Sequence, residues 1–185
     1  VPRWASPPFR ALGRAVLSAL RWRIQGDWPD LPKCVIIVAP HTSNWDFVIG
    51  MATVLAIGFR VHYIAKHTLF RGVFGRLLRF SGGIPIDRRA AGGVSERSIE
   101  SFAASPQLLL CITPEGTRAK TERWKSGFHR IARGAGVPIL PVAFDYRERV
   151  VRLHPLFQPS GDYERDLLRL QSLFHAGMAR HPENY

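Results

Sequence analysis

Cys34-Val35-Ile36-Ile37-Val38-Ala39-Pro40-His41-Thr42-Ser43-Asn44-Trp45-Asp46 is the stretch that decides the fold. Its first six residues are apolar and rich in β-branched side chains, the pattern of a strand buried on both faces. After Pro40 and a polar turn, Asp46 to Ile57 reads as a helix. A buried strand feeding a helix is one unit of a layered α/β domain. His41 and Asp46 lie five apart across that turn, close enough to meet. A carboxylate on one imidazole nitrogen fixes the tautomer and stabilises the imidazolium, and the other nitrogen is then free to take a proton from an attacking hydroxyl. The plain alternative is a capping or core histidine.

The same alternation continues outward. Val61–Ala65, Ile84–Ile86, Gln107–Thr113, Pro138–Phe144 and Val150–Leu153 read as strands or extended segments. Phe70–Arg79, Val94–Ala104, Trp124–Ala135 and Tyr163–Arg180 read as helices, the third stopping at Gly134 or Gly136. The expected fold is α/β: one layered domain over residues 23–185, its mostly buried central sheet flanked by helices, preceded by an amphipathic helix within residues 1–22.

That first helix, from Pro8 to Trp22, gathers Arg10, Arg14 and Arg21 on one side and Phe9, Leu12, Val16, Ala19 and Leu20 on the other. Trp4, Trp22 and Trp28 flank it. A basic stripe, an apolar face and nearby tryptophans suit an interfacial membrane helix. An apolar face packed on the core explains the pattern equally well.

The chain has 185 residues, of which 46% are hydrophobic and 22% charged, which describes a globular protein rather than a disordered one. Lysine and arginine number 26 against 14 acidic residues, a formal net charge of +12 that favours an anionic partner: a nucleic acid, an anionic membrane or a phosphorylated substrate. The basic residues are dispersed and no familiar nucleic-acid motif appears, so no nucleic-acid partner is expected. No metal framework is readable, and the two cysteines, Cys34 and Cys111, sit in strand-like runs as small hydrophobes. The longest apolar stretch, Phe47 to Phe59, is short of the roughly 18–20 residues that span a bilayer. No secretory signal is read at the N-terminus.

Two further segments carry chemistry. Thr113-Pro114-Glu115-Gly116-Thr117-Arg118 follows a buried strand, where ligand-binding loops collect in α/β sheets. Glycine permits close backbone approach, threonine offers a hydroxyl, and arginine grips phosphate with two donors. An ordinary polar turn is the alternative. Gly83-Ile84-Pro85-Ile86-Asp87-Arg88 sets an arginine beyond a short strand, or else a surface arginine paired with Asp87.

In this order and spacing the segments resemble the glycerolipid acyltransferase family, best known for 1-acyl-glycerol-3-phosphate acyltransferases. His41–Asp46 resembles the family's H-x4-D motif, and the segment ending in Arg88 its second motif. Thr113–Arg118 is similar to the third, and Val137-Pro138-Ile139-Leu140-Pro141-Val142 to the fourth. Pro40 stands where many relatives have asparagine, and Pro85 replaces a bulkier residue.

The resemblance implies a glycerol-phosphate acyltransferase-like fold, with His41 as base and Asp46 as its orienting partner. Glu115, Gly116, Thr117 and Arg118 would shape the acceptor pocket. Arg118, Arg88 and Lys66 would hold its phosphate. The implied reaction moves a fatty acyl group from an acyl thioester, carried by coenzyme A or acyl carrier protein, to a lysophospholipid hydroxyl, with no bound cofactor. No G-x-S-x-G elbow is present, which argues for direct transfer. The protein is expected to be cytoplasmic and peripheral on an anionic membrane. A different lyso-lipid acceptor, such as a lyso-aminolipid, and a non-catalytic basic binding module are the competing readings.

Overall fold

The computed structural model describes residues 6–86 and 93–185. In chain order the elements are α1 (Pro7–Ala19), β1 (Arg23–Gln25), β2 (Lys33–Ala39), α2 (Trp45–Ile57), β3 (His62–Lys66), α3 (Gly72–Phe80), β4 (Gly83–Ile86), α4 (Gly93–Ala104), β5 (Leu108–Ile112), α5 (Gly127–Ala135), β6 (Ile139–Asp145), β7 (Val150–Leu153) and α6 (Tyr163–Gln171). The seven strands form one sheet in the order β1-β7-β6-β2-β5-β3-β4. All neighbours run parallel except β6 and β7, which form an antiparallel hairpin.

The stretch that opens the argument is the centre of the sheet. β2 lies between β5 and β6, with Val35 opposite Leu110 on one side and Ile139 on the other. Successive side chains of a strand point to opposite faces. Val35, Ile37 and Ala39 therefore enter one core, with Phe102, Phe128, Ile131 and Leu170 from α4, α5 and α6. Cys34, Ile36 and Val38 enter the other, with Leu17 of α1 and Ile49, Ala52 and Ala56 of α2. The expected layered α/β arrangement, a central sheet flanked by helices, is what forms. Cys34 and Cys111 are free thiols within it, and burial pushes each up to about 12.

Helix α1 packs across α2 at very short range. A Cβ on Gly13 would stand 2.4 Å from Ala56 N and 2.6 Å from Ala52 O, so only glycine permits the crossing. Leu17 is buried, and Val16 and Leu20 pack partly against the core. Phe9 and Leu12 remain exposed. The apolar stripe of this helix thus serves the core along one edge and faces outward along the other.

Three elements differ from the sequence reading. α5 begins at Gly127 rather than Trp124, because Trp124 is buried against Phe128 and Phe174 while Lys125 N–H is tied to Pro114 O at 2.8 Å. The closing helix stops at Gln171 rather than Arg180. Beyond it Phe174 and Met178 turn inward to bury, and the chain continues as irregular backbone with short 3-10 turns at Ala176–Met178 and Pro182–Asn184. β1 adds to the sheet through three residues with no apolar run to announce it.

Candidate active site

Parallel strands deliver their following loops to one edge of the sheet, where α/β folds place ligands. The loops after β2, β3 and β5 emerge on this edge, and so does the turn of the β6–β7 hairpin. His41 leaves β2 here, and Asp46 occupies the first turn of α2, where its negative charge also suits the helix dipole. His41 Nδ1 stands 3.0 Å from Asp46 Oδ2. The two atoms meet off the line of a hydrogen bond, an arrangement common before substrate binds. The His41 side chain keeps 15% of its surface accessible, against 2% for Asp46. The carboxylate is shut away while the imidazole reaches the surface.

Each oxygen of Asp46 has a further donor. Oδ2 accepts the Ser43 N–H at 2.9 Å, and Oδ1 accepts the Tyr146 hydroxyl at 2.6 Å. Tyr146 comes from the β6–β7 turn, a hundred residues away in sequence. Its ring stands edge-on to Trp22, with centroids 4.9 Å apart. Burial and the bond to Asp46 push the phenol up, so it stays an O–H donor at any working pH. Arg180 lies over the rings of Trp45 and Tyr146, at 5.1 and 5.9 Å.

Glu115 supports the histidine from the neighbouring strand end. Its two oxygens accept the His41 backbone N–H at 3.0 and 3.1 Å. The side chain is buried, and that burial raises its carboxyl to about 7; the His41 hydrogen bond opposes the rise and the nearby Asp46 charge adds to it. Gly116 turns the chain with φ +67°, and a Cβ there would meet the Lys125 side chain at 2.9 Å. Thr117 accepts Ala119 N–H at 3.2 Å, and Thr117 and Arg118 are exposed. The C-terminal segment closes over the same turn. His181 N–H donates to Thr42 Oγ1 at 3.2 Å, and the Glu115 charge acts on the Tyr185 phenol, which burial lifts to about 12.

Of the residues singled out in the sequence, the contacts join His41, Asp46 and Glu115 directly. Gly116, Thr117 and Arg118 follow on the same loop. Lys66 ends β3 on the same edge and is exposed. Arg88 lies outside the described residues. Tyr146 and Arg180 escaped the sequence reading. The polar run after Phe144 marked only a strand end, and Arg180 was read into a helix that does not reach it.

A family model described as Acyltransferase matches residues 28–145. The chain is similar to a 1-acyl-sn-glycerol-3-phosphate acyltransferase of Salmonella typhimurium, 29% identical over 126 residues. A protein of the same description from Escherichia coli is 29% identical over 128 residues. Both alignments cover 65% of this chain and 51% of the relative, so the chain spans about half the length of the curated relatives it matches. In fold it is similar to the crystal structure of the 1-acyl-sn-glycerophosphate (LPA) acyltransferase PlsC from Thermotoga maritima. The TM-score is 0.67 at 19% identity, covering 90% of this chain and 75% of that one. With most of its length matched by the family model, and with the histidine, aspartate and glutamate of its motifs meeting at one sheet edge, the chain belongs to the acyltransferase family.

Proposed function

We propose that the protein transfers a fatty acyl group from an acyl thioester to the free hydroxyl of a lysophospholipid of the 1-acyl-glycerol-3-phosphate type. The observation that carries this reading is the His41–Asp46 pair, its carboxylate buried and its imidazole open to the sheet edge. The acceptor hydroxyl gives its proton to His41 Nε2 as its oxygen attacks the thioester carbonyl. Asp46 stabilises the imidazolium, held by Ser43 and Tyr146. Collapse of the tetrahedral adduct breaks the carbon–sulfur bond, and the imidazolium proton goes to the leaving thiolate. Glu115 contributes by fixing the histidine backbone. Lys66, Arg88 and Arg118 hold the acceptor phosphate, and the donor is coenzyme A- or acyl-carrier-protein-linked. The relatives' names support the acceptor class.

No helix among the described residues is long and apolar enough to cross a membrane. In this reading the acceptor is reached from the membrane surface. The test is purified protein with a long-chain acyl thioester and three acceptors: 1-acyl-glycerol-3-phosphate, 1-acyl-glycerol and a lyso-aminolipid. The phosphorylated acceptor is expected to give the highest kcat/KM. Equal turnover with and without phosphate would remove the phosphate from the reading, and preference for the lyso-aminolipid would replace the acceptor.

A further inference from the structure

The exposed apolar surface of this chain is unevenly placed. Among the described residues, only Leu156 and Leu168 of the exposed large apolar side chains lie outside α1, α2 and the segment from Leu69 to Phe80. The densest part is α3. Val73 is 81% exposed, and Phe74 and Leu77 are each 58% exposed. These three recur at the spacing of one helix face, while Gly75 and Leu78 bury the opposite face. Leu69, just before the helix, is 48% exposed. Soluble surfaces rarely leave such residues contiguous unless something covers them.

Position and charge select what covers them. β3 runs parallel to β5, and β5 to β2, so the chain leaving Lys66 emerges on the edge that carries His41. Helix α3 starts from there. It lies on the same side of the sheet as α2: the Tyr63 ring stands 5.3 Å from that of Phe47, and its hydroxyl lies 2.7 Å from Ser81 Oγ at the end of α3. Arg71, Arg76 and Arg79 border the apolar stripe, with Arg79 folded over the Phe70 ring. An apolar helical face bordered by cations, beside a site whose substrate is an amphiphile, matches a bilayer with anionic head groups.

We propose that α3 is the membrane-docking surface of this protein, inserting Val73, Phe74 and Leu77 into an anionic lipid leaflet so that the catalytic edge faces the lipid. The proposal rests on the lipid-acceptor reading above. In it α1, whose Gly13 and Leu17 are committed to the core, is secondary.

The experiment uses the full chain and vesicles of phosphatidylcholine alone or of equimolar phosphatidylcholine and phosphatidylglycerol. Co-sedimentation is measured for the parent, for Val73→Ser/Phe74→Ser/Leu77→Ser, for Arg76→Gln and for Leu12→Ser. The triple variant is expected to bind the anionic vesicles at least tenfold more weakly, Arg76→Gln about fivefold more weakly, and Leu12→Ser little changed. A milder probe is Phe74→Cys carrying an environment-sensitive dye, which is selective because Cys34 is buried and Cys111 half-buried, with both thiols pushed up to about 12. Its emission should shift to the blue on anionic vesicles.

Unchanged vesicle binding by the triple variant overturns the proposal, as does a dye that stays in water while the protein sediments. Concentration-dependent self-association that the triple variant abolishes also overturns it, assigning the face to a second copy. Turnover of a dispersed short-chain acceptor is read in parallel. Loss of vesicle binding with that turnover retained supports the docking face. A parent that docks through α3 yet transfers no acyl group contradicts the functional reading while leaving the surface in place.

Discussion

Two histidine–aspartate pairs stand among the described residues, each with a ring nitrogen close to a carboxylate oxygen, although only the His129 pair has the line of a hydrogen bond. His129 Nε2 lies 2.8 Å from Asp166 Oδ2, and His41 Nδ1 lies 3.0 Å from Asp46 Oδ2. Each aspartate is buried and has further donors. Asp166 takes the Ser160 N–H and hydroxyl, both at 2.7 Å, as Asp46 takes the Ser43 N–H and the Tyr146 hydroxyl. The histidines differ. The His129 side chain is 5% exposed, with Phe128 and Tyr163 edge-on to it, and it pins α5 to α6. His41 sits where a parallel strand ends, and its ring reaches the surface. A carboxylate-bound imidazole is thus not by itself a catalyst. In the proposed mechanism, an open nitrogen at a ligand-binding edge makes one pair a base and leaves the other a strut.

The largest effect should separate the two histidines. His41→Ala is expected to lower kcat by about 10²–10⁴-fold with the melting temperature kept. His129→Ala is expected to leave the turnover of folded protein near the parent's while removing about 3 kcal/mol of stability, since it breaks a buried pair. Turnover and thermal melting of both variants decide. If the activity loss tracks His129, the assignment of base and strut is reversed.

The next effect concerns the second donors. Tyr146→Phe removes a hydrogen bond to a charged group, worth about 1.5–3 kcal/mol. If Tyr146 steadies the Asp46 carboxylate as the imidazolium forms, kcat should fall about tenfold with KM little altered. Ser160→Ala, its counterpart at Asp166, should lower the melting temperature and leave kcat alone. A Tyr146→Phe variant changed in KM only would mean that the ring lines the acceptor site instead.

A third contrast sets two buried carboxyls against each other, because their shifts have opposite signs. Glu115 is raised from 4.5 to about 7 by burial, so its ionisation disfavours the folded state, and its contribution to stability falls as pH climbs through that interval. Asp166 is also penalised by burial, but the bonds from Ser160 and His129 outweigh it and hold the carboxyl below its usual 3.8. Its contribution is present above that value and lost as pH falls beneath it. Denaturant melts of Glu115→Gln should lose the slope between 4.5 and 7, and melts of Asp166→Asn should lose part of the acid-side slope. Parallel curves for parent and Glu115→Gln would show that Glu115 is ionised without cost.

The smallest effect tests the edge of the site. Arg180→Ala removes a cation stacked on Trp45 and Tyr146, a contact worth about 0.5–1 kcal/mol at an exposed position. Turnover should fall about two- to fivefold. No change would confine Arg180 to the surface.

How far the sequence reaches follows from the kind of order involved. β2 is legible because its side chains alternate between two cores, so every position is constrained by burial. The His41–Asp46 pair is legible because it is local, closed by one strand-to-helix turn. The Glu115 contact with His41 N–H spans 74 residues and depends on β2 and β5 being neighbours, which no spacing expresses. Tyr146 is further removed still. It reaches Asp46 only because β7 folds back antiparallel and places the hairpin turn on the edge that carries His41. The segment after Gln171 misleads for the opposite reason: its composition tolerates helix, but burial of Phe174 and Met178 overrides that preference. Amphipathic periodicity singles out α1 as a membrane-facing helix, and only packing shows that α1 spends part of its apolar face on the core.

The most direct test of the central claim counts products. Parent protein and His41→Ala are each given a long-chain acyl thioester, with and without 1-acyl-glycerol-3-phosphate, and thiol release, ester formation and acylated protein are measured together. Direct transfer through His41 requires one ester per thiol from the parent, no thiol release beyond background without acceptor, no acylated protein, and near-background rates from His41→Ala. Transfer by His41→Ala at the parent's rate, or thiol released into a stable acyl-protein without acceptor, would contradict the account.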